Sequence, residues 1–212
     1  MQTVIRSAVR GDTRFLAWVM QEAARSHLEK GFLDLAIPED EERFAFLDAI
    51  AHAKARSMFS AQNFLIAEID GRQVAALSAF EPAIAMPQMG PAMAEAVQAV
   101  GWSEEQIGGM QSRLGVAMSC YPESPDDRWV IEWVATVPEF RGRGIVQQLL
   151  LAILEKGRER GFEKAQVAYL LGNDPARRSY ERGGFETVSE RRDPDFEAAL
   201  QTPGVACMHM DL

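Results

Sequence analysis

A strand that runs through a glycine-rich turn directly into a helix restricts this chain more than any other pattern in it. Residues 129–137 are largely aromatic and β-branched, which favours a strand. Pro138-Glu139-Phe140 and the turn Arg141–Gly144 follow. Apolar residues then recur at helical spacing from Gln147 to Arg160, and Gly161 stands where a helix C-cap belongs. Such a turn brings several backbone N–H groups and the positive end of a helix dipole to one point, which suits a pyrophosphate.

The glycine spacing limits which phosphate ligand this turn can hold. No Gly-Lys-Ser/Thr follows Gly144, so the turn is not the phosphate loop of a nucleotide triphosphatase. Gly142-x-Gly144 lacks the later glycine of the dinucleotide fingerprint, which disfavours NAD. Taken alone, the turn is explained equally well as a tight strand-to-helix connection with two solvated arginines, Arg141 and Arg143.

The rest of the chain alternates between strand-like and helix-like segments. Further strands are expected at residues 3–9, 63–69, 73–80, 163–171, 185–191 and 205–212, and further helices at 12–28, 39–51, 103–118 and 174–183. Asp70-Gly71 separates two of these strands and is a strong signal for a two-residue hairpin turn, since both positions need positive φ. With the strand at 129–137, the pattern predicts an α/β chain of about seven strands.

The segment 82–127 differs in amino-acid composition from the rest of the chain. It is rich in Ala, Met, Gly and Pro, and Ser103-Glu104-Glu105-Gln106 has the pattern of a capping box before a helix. We interpret the segment as a helical insertion in a single domain that spans residues 1–212. The sequence leaves three roles open for it: an apolar ligand pocket shaped by flexible methionines, a lid or dimer surface, or ordinary core packing. A homodimer therefore stays open as an alternative.

Composition excludes several classes of partner. The formal net charge of −9 disfavours a nucleic-acid ligand, which needs clustered Lys and Arg. Cys120 and Cys207 are far apart and belong to no Cys/His cluster, so neither a metal site nor a disulfide framework is expected. No apolar run approaches the roughly 20 residues of a membrane helix, and no targeting segment is recognised. We therefore expect a cytoplasmic protein with no membrane contact.

Two motifs resemble those of the GNAT N-acetyltransferases. Residues 134–145, Val-Ala-Thr-Val-Pro-Glu-Phe-Arg-Gly-Arg-Gly-Ile, are similar to the family's signature strand and its Gln/Arg-x-x-Gly-x-Gly/Ala loop, with Val146 in place of the last small residue. Residues 173–185 are similar to the second signature, Asn-x-x-Ala-x-x-x-Tyr-Glu-x-x-Gly-Phe, at every named position. The likeness is tight over about residues 129–187, whereas the segment 82–127 has no counterpart.

The resemblance implies a fold and a cofactor site. The fold would be a mixed, mostly antiparallel twisted sheet with helices on both faces, splayed between the fourth and fifth strands. Acetyl-CoA would be the cosubstrate, with no metal. Its pantetheine arm would pair with backbone groups and with Asn173, and its pyrophosphate would bind the amides of the glycine turn and one of its arginines. The backbone groups implied are those of Val134, Ala135 and Thr136 for the arm, and of Arg141, Gly142, Arg143, Gly144, Ile145 and Val146 for the turn.

The resemblance also implies acetyl transfer to an amine acceptor, which needs a neutral nucleophile and a proton for the leaving thiolate. We expect Tyr180 to donate that proton and to border the thioester; the alternative is a buried tyrosine bonded to backbone. Glu132, three residues before Ala135, is the candidate general base, although a solvated or salt-bridged glutamate explains the residue as well. Trp129 and Trp133 share strand parity and are expected on the sheet face opposite Glu132.

Four functions compete at this point. The first is an N-acetyltransferase that acts on a small-molecule amine, and the second acts on the lysine or N-terminus of a protein. The third is a non-catalytic acyl-CoA-binding regulator of the same fold, and the fourth is an interaction domain that binds no cofactor. His27, His52 and His209 show no ligand spacing and are assigned no role in any of them.

Overall fold

The structure is a computed structural model that describes residues 2–212. Its strands are β1 (Thr3–Ser7), β2 (Phe64–Ile69), β3 (Arg72–Phe80), β4 (Trp129–Thr136), β5 (Lys164–Leu170), β6 (Glu186–Arg192) and β7 (Gly204–Asp211). Its α-helices are α1 (Thr13–Arg25), α2 (Phe32–Ala36), α3 (Asp40–His52), α4 (Pro82–Ala85), α5 (Met89–Val100), α6 (Glu104–Met118), α7 (Ile145–Glu159), α8 (Asp174–Arg182) and α9 (Pro194–Leu200). Within this described part of the chain, no helix is both long enough and apolar enough to span a bilayer.

The strands form one mixed sheet that opens in its middle. Their order is β1-β2-β3-β4-β5-β7-β6, and β4 and β5 are the parallel pair among otherwise antiparallel neighbours. Pairing of β4 with β5 is confined to Trp129–Ile131 against Ala165–Val167, so the strands separate beyond that point. The expected seven-stranded sheet, splayed between its fourth and fifth strands, is confirmed.

Local turn and cap signals produced the expected geometry in several places. Asp70 and Gly71 have φ of 51° and 77°, and they connect paired residues Ile69 and Arg72 as a two-residue hairpin turn. In the capping box of α6, the Gln106 N–H donates to Ser103 Oγ at 3.3 Å, and the Ser103 N–H donates back to Gln106 Oε1 at 3.0 Å. These motifs stabilise conformations that are set within four residues of chain.

A bulge in β4 overturns the expected strand parity. Trp133 has φ of 54°, and the register between β3 and β4 shifts between Ala76 and Ser78. Trp129 therefore packs in the core on one face of the sheet, whereas Trp133 packs on the other. The prediction that both tryptophans share a face was wrong, because one extra residue in a strand inverts the alternation that follows it.

Helices cover both faces of the sheet and leave the splay between them. The core that includes Trp129 also contains the inner residues of α7 and Tyr180 of α8. On the opposite face, buried residues of α1, α2, α3, α5, α6 and α9 form one continuous cluster with Trp133. Helices α5 and α6 of the segment 82–127 thus share their core with the N-terminal helices, with Ala92, Ala96, Met110 and Ala117 inside it.

Some elements differ from the sequence-based expectation. The short helices α2 and α9 were not predicted, since a helix of five or seven residues shows too little periodicity. Asp174 before Pro175 and Asp12 after Gly11 have the sequence pattern of helix N-caps, but neither side chain caps the helix that follows it. Asn173 caps α8 instead, since its Oδ1 accepts from the Ala176 N–H at 3.1 Å, and the Asp12 carboxylate binds Arg6 at 2.7 Å.

Candidate functional site

A large cavity occupies the splay of the sheet. Its volume is about 1320 Å³, and it extends from the glycine turn, past β4 and β5, to the helices of the segment 82–127. Two parts of this cavity differ in the residues that line them. We call the part lined by the segments 32–59 and 86–121 the apolar chamber, and the part lined by 140–147 and 173–182 the basic end.

The basic end is built on the glycine turn. Gly142 and Gly144 have φ of 75° and 73°, and a side chain at either position would meet no atom within 4 Å. Gly144 is the N-cap of α7 with no side-chain cap, and the first backbone bond at this end runs from the Gln148 N–H to the Gly144 oxygen. The N–H groups of Ile145, Val146 and Gln147 are therefore left free by the helix and open to an anion. Val146, the departure from the signature, packs partly against the core beneath α7.

The two arginines of the turn differ in position. Arg141 lines the cavity; its Nε donates to the Thr136 oxygen at 3.1 Å, and one guanidinium nitrogen lies 3.9 Å from Glu22 Oε2. Arg143 lies outside the cavity wall, donates to the Glu139 oxygen at 2.9 Å and stacks over Phe140. The geometry therefore favours Arg141 over Arg143 for a phosphate contact.

The splayed edge of β4 supplies unpaired polar groups. Val134, Ala135 and Thr136 line the cavity on the side from which β5 has diverged, and Ala135 and Thr136 pair with β3 on their other side. Thr136 Oγ1 is buried and has no hydrogen-bond partner among residues 2–212. Buried polar atoms are seldom left unpaired, so this edge fits a ligand that carries amide and carbonyl groups.

Glu132 sits at the bulge, on the cavity wall. It is half-buried, its carboxylate makes no hydrogen bond within residues 2–212, and its backbone oxygen accepts from Ser78 Oγ at 3.2 Å. Burial raises the pKa of the Glu132 carboxyl from 4.5 to about 7. The salt bridge considered as an alternative for Glu132 does not occur in the described residues. A carboxyl poised near neutrality can accept a proton from a substrate.

Tyr180 lines the same cavity from α8. Its ring packs against Phe185 at 6.3 Å between centroids, and only 6% of the residue is exposed. Its hydroxyl makes no hydrogen bond to any residue in 2–212, so the alternative of a tyrosine tied to backbone does not apply. Burial, and then the nearby Glu132 charge, raise the pKa of the Tyr180 phenol, which keeps it protonated and able to donate.

Asn173 also reaches the cavity, but its side chain is already engaged. Besides capping α8, it donates through Nδ2 to Ser26 Oγ at 2.6 Å. Ser26 is held at φ of 59° just after α1. Asn173 therefore positions α8 and Tyr180 against α1, which is a structural task in addition to any ligand contact.

Sequence reasoning missed one side of the site. Tyr121 lies in the loop after α6, lines the cavity, and is close enough to Glu132 for the carboxylate charge to contribute, after burial, to raising the Tyr121 pKa. The five methionines of the segment 82–127 all line the cavity as well. No motif marks these residues, because they come to line one cavity only through the packing of the helices of the segment 82–127.

A known family matches most of the chain in sequence. The sequence profile of the Acetyltransferase (GNAT) family matches residues 22–185. No curated protein sequence matches the chain at a significant level.

Solved structures resemble the whole chain. One described as an acetyltransferase is 18% identical with a TM-score of 0.70, over 98% of both chains. An N-acetyltransferase from Staphylococcus aureus Mu50 is 18% identical with a TM-score of 0.67, over 99% of this chain and 100% of that one. The PaiA N-acetyltransferase of Thermoplasma acidophilum, in complex with coenzyme A, is 12% identical with a TM-score of 0.53, over 100% of both chains. At these identities the likeness concerns the fold.

Proposed function

Because the chain belongs to the Acetyltransferase (GNAT) family, we propose that it transfers an acetyl group from acetyl-CoA to the primary amine of a small-molecule acceptor. Both substrates would bind together, and transfer would be direct. The observation that carries the proposal is the placement of Glu132 and Tyr180 on one cavity, which begins at an uncapped helix N-terminus with two left-handed glycines.

Two parts of the cavity support coenzyme A as its ligand. The free amides at the start of α7 and the guanidinium of Arg141 suit the pyrophosphate. The unpaired edge of β4, with the orphaned hydroxyl of Thr136, suits the amides of a pantetheine arm. When bound, acetyl-CoA supplies the thioester; the protein's own residues supply orientation and proton transfer.

The proposed proton transfers balance the reaction. Glu132 accepts one proton from the ammonium form of the acceptor, which leaves a neutral nitrogen. A carbon–nitrogen bond forms at the thioester carbonyl as the carbon–sulfur bond breaks. Tyr180 donates its proton to the departing sulfur and is reprotonated by the second proton that the nitrogen loses. Glu132 passes the first proton to solvent, so the products are an amide, free thiol and one released proton.

The first test is acetyl-CoA binding by calorimetry, with a matched pair of variants. Gly144 and Gly161 both have positive φ and open space where a side chain would project, at opposite ends of α7. Alanine at either position should cost a similar folding free energy, about 1 kcal/mol. Only Gly144→Ala should weaken acetyl-CoA binding, by about tenfold or more, because only Gly144 borders the cavity.

Thiol release across a panel of amines then tests catalysis. Folded protein that binds no acetyl-CoA would contradict the proposal at its first step. Binding without transfer to any amine, including peptide amines, would instead support a non-catalytic acyl-CoA-binding module. Preferred transfer to a peptide lysine or N-terminus would replace the small-molecule acceptor with a protein one.

A further inference from the structure

The apolar chamber carries information about the acceptor, and an inference about that acceptor rests on the proposed function. Glu132 lies at the junction between the chamber and the splayed edge of β4, so an amine that reaches its carboxylate must extend its remaining atoms into the chamber. The other direction leads to the basic end, where the glycine turn and α8 lie. The chamber walls therefore determine which amines fit.

Aromatic rings surround the base of the chamber. The bulge at Trp133 turns its indole toward the face of the sheet that α1, α2 and α3 cover. Its ring centroid lies 5.2 Å from that of Phe59 and 6.1 Å from that of Phe32. Tyr121 packs edge-on against Phe32 at 5.6 Å. Aromatic surfaces of this kind bind flat apolar groups, and they also stabilise a nearby ammonium.

Methionines form much of the remaining wall. Within the described residues, those that line the chamber come from the loop before β2 and from the insertion: Met58, Met86, Met89, Met93, Met110 and Met118. Met86 and Met118 are each 45% exposed, which places them at the solvent-facing mouth, whereas Met110 is buried. Thioether side chains adapt to apolar ligands of irregular shape and offer no strong hydrogen bond.

The charges around the chamber exclude two common classes of acceptor. Among the described residues of the segment 32–124 that line the cavity, none is a lysine, arginine or histidine, and Glu123 at the rim is the one carboxylate. An amino-acid acceptor would bury its carboxylate with no counter-charge. A polyamine would bury several ammonium groups with only Glu132 at the junction and the exposed Glu123 at the rim to pair with them. Burying unpaired charge is costly, so both should bind poorly.

We propose that the acceptor is a hydrophobic monoamine: one primary amine on an aromatic or branched aliphatic body, with no carboxylate and no second ammonium group. Its nitrogen binds beside Glu132, and its body fills the apolar chamber between the Trp133 cluster and the methionines of α5 and α6. Removing the apolar body from water supplies the binding free energy, while the single carboxylate selects one amine.

The experiment compares phenylethylamine, L-phenylalanine and spermidine as acceptors in a thiol-release assay with acetyl-CoA. Phenylalanine adds only a carboxylate to phenylethylamine, so the pair isolates that charge. We expect kcat/KM for phenylethylamine to exceed that for each of the other two by about 100-fold or more. Calorimetric titration of phenylethylamine alone measures occupancy of the chamber independently of catalysis.

A matched pair of variants locates the site. Met93 lines the chamber on α5, whereas the adjacent Ala94 is exposed and lines no part of it. Met93→Glu should lower kcat/KM for phenylethylamine about tenfold or more and leave the Kd of acetyl-CoA unchanged, because it places a carboxylate against the apolar body. Ala94→Glu adds the same charge to the same helix and should change neither quantity.

The outcomes separate the two proposals. Acetyl-CoA binding with preferred acetylation of phenylalanine, spermidine or a peptide overturns the hydrophobic-monoamine inference and leaves the acetyltransferase intact. A preference for long acyl-CoA that Met93→Glu abolishes also overturns it, since the chamber then holds the acyl chain. If the protein binds phenylethylamine but not acetyl-CoA, the inference that the chamber holds a hydrophobic monoamine is supported, and the proposed acetyltransferase function is refuted. Equal Met93→Glu and Ala94→Glu effects refute the chamber as the site.

Discussion

Replacing Glu132 with glutamine separates two consequences of placing a carboxyl on the cavity wall. Glutamine keeps the shape of the side chain but can neither accept a proton as a base nor carry charge. Burial raises the pKa of Glu132 from 4.5 to about 7. The substitution should therefore alter both the pH dependence of the rate and the pH dependence of stability, in opposite directions.

The effect on rate follows from the role as a base. Only the ionised carboxylate accepts a proton, so wild-type activity should fall about tenfold per pH unit below pH 7 and level off above it. In the Glu132→Gln variant the limb near pH 7 should disappear, and turnover at pH 8 should fall by about 100-fold to 10,000-fold. Initial rates of thiol release from about pH 5.5 to about pH 9 measure both quantities.

The effect on stability has the opposite sign. The folded protein holds the Glu132 proton more tightly than the unfolded chain does, so wild-type stability falls as pH rises from 4.5 to about 7. Above pH 7 the penalty reaches an upper limit of about 3 kcal/mol, and water in the cavity reduces it to about 1–3 kcal/mol. The Gln variant escapes this penalty. Its stability advantage in urea unfolding should therefore be larger at pH 8 than at pH 4.5 by that amount.

An exposed glutamate outside the cavity provides the control for Glu132→Gln. Glu186→Gln alters an exposed glutamate on β6, outside the cavity, and should give a pH-independent difference within about 0.5 kcal/mol. If the rate of the Glu132→Gln variant still falls as the pH is lowered below 7, another group is the base. If its stability advantage does not grow with pH, the carboxylate is well solvated, and burial does not raise its pKa.

Three further predictions concern other parts of the structure. Tyr180→Phe should lower turnover about 100-fold while the Kd of acetyl-CoA by calorimetry changes less than about twofold; equal losses in both would make Tyr180 a binding residue. Arg43→Met should destabilise folding by about 1–3 kcal/mol in urea, because the fully buried guanidinium donates to the buried Ile37 oxygen at 2.6 Å, which would lose its donor, whereas Asp34 keeps its pair with Arg25; an unchanged stability would contradict this. Gly31→Ala should abolish soluble folded protein, since a side-chain carbon there would lie 2.1 Å from a carbonyl oxygen of α1, whereas Gly11→Ala, with open space, should fold normally by circular dichroism.

Neighbouring residues in the sequence are enough to specify several turns and caps of this fold. The hairpin at Asp70-Gly71, the capping box at Ser103 and the left-handed glycines of the 141–144 turn were all predictable. Each reflects a backbone conformation or a cap bond that spans at most four residues. The two motifs around Gly144 and Tyr180 predicted the family through the same short-range patterns, together with the sheet that joins them.

Long-range packing sets what surrounds those motifs. The bulge at Trp133 depends on the register of β4 against β3. The alternation of apolar residues in β4 alone does not specify that register, so the bulge could not be predicted from it. The elevated pKa of Glu132 depends on every element that excludes water from it. The methionines of α5 and α6 look like ordinary core residues until the helices pack across the splay and make them a cavity wall. Sequence thus specified several local turns and caps and the two family motifs, while the chamber proposed for the acceptor arose from tertiary packing, because burial and proximity are properties of the whole fold.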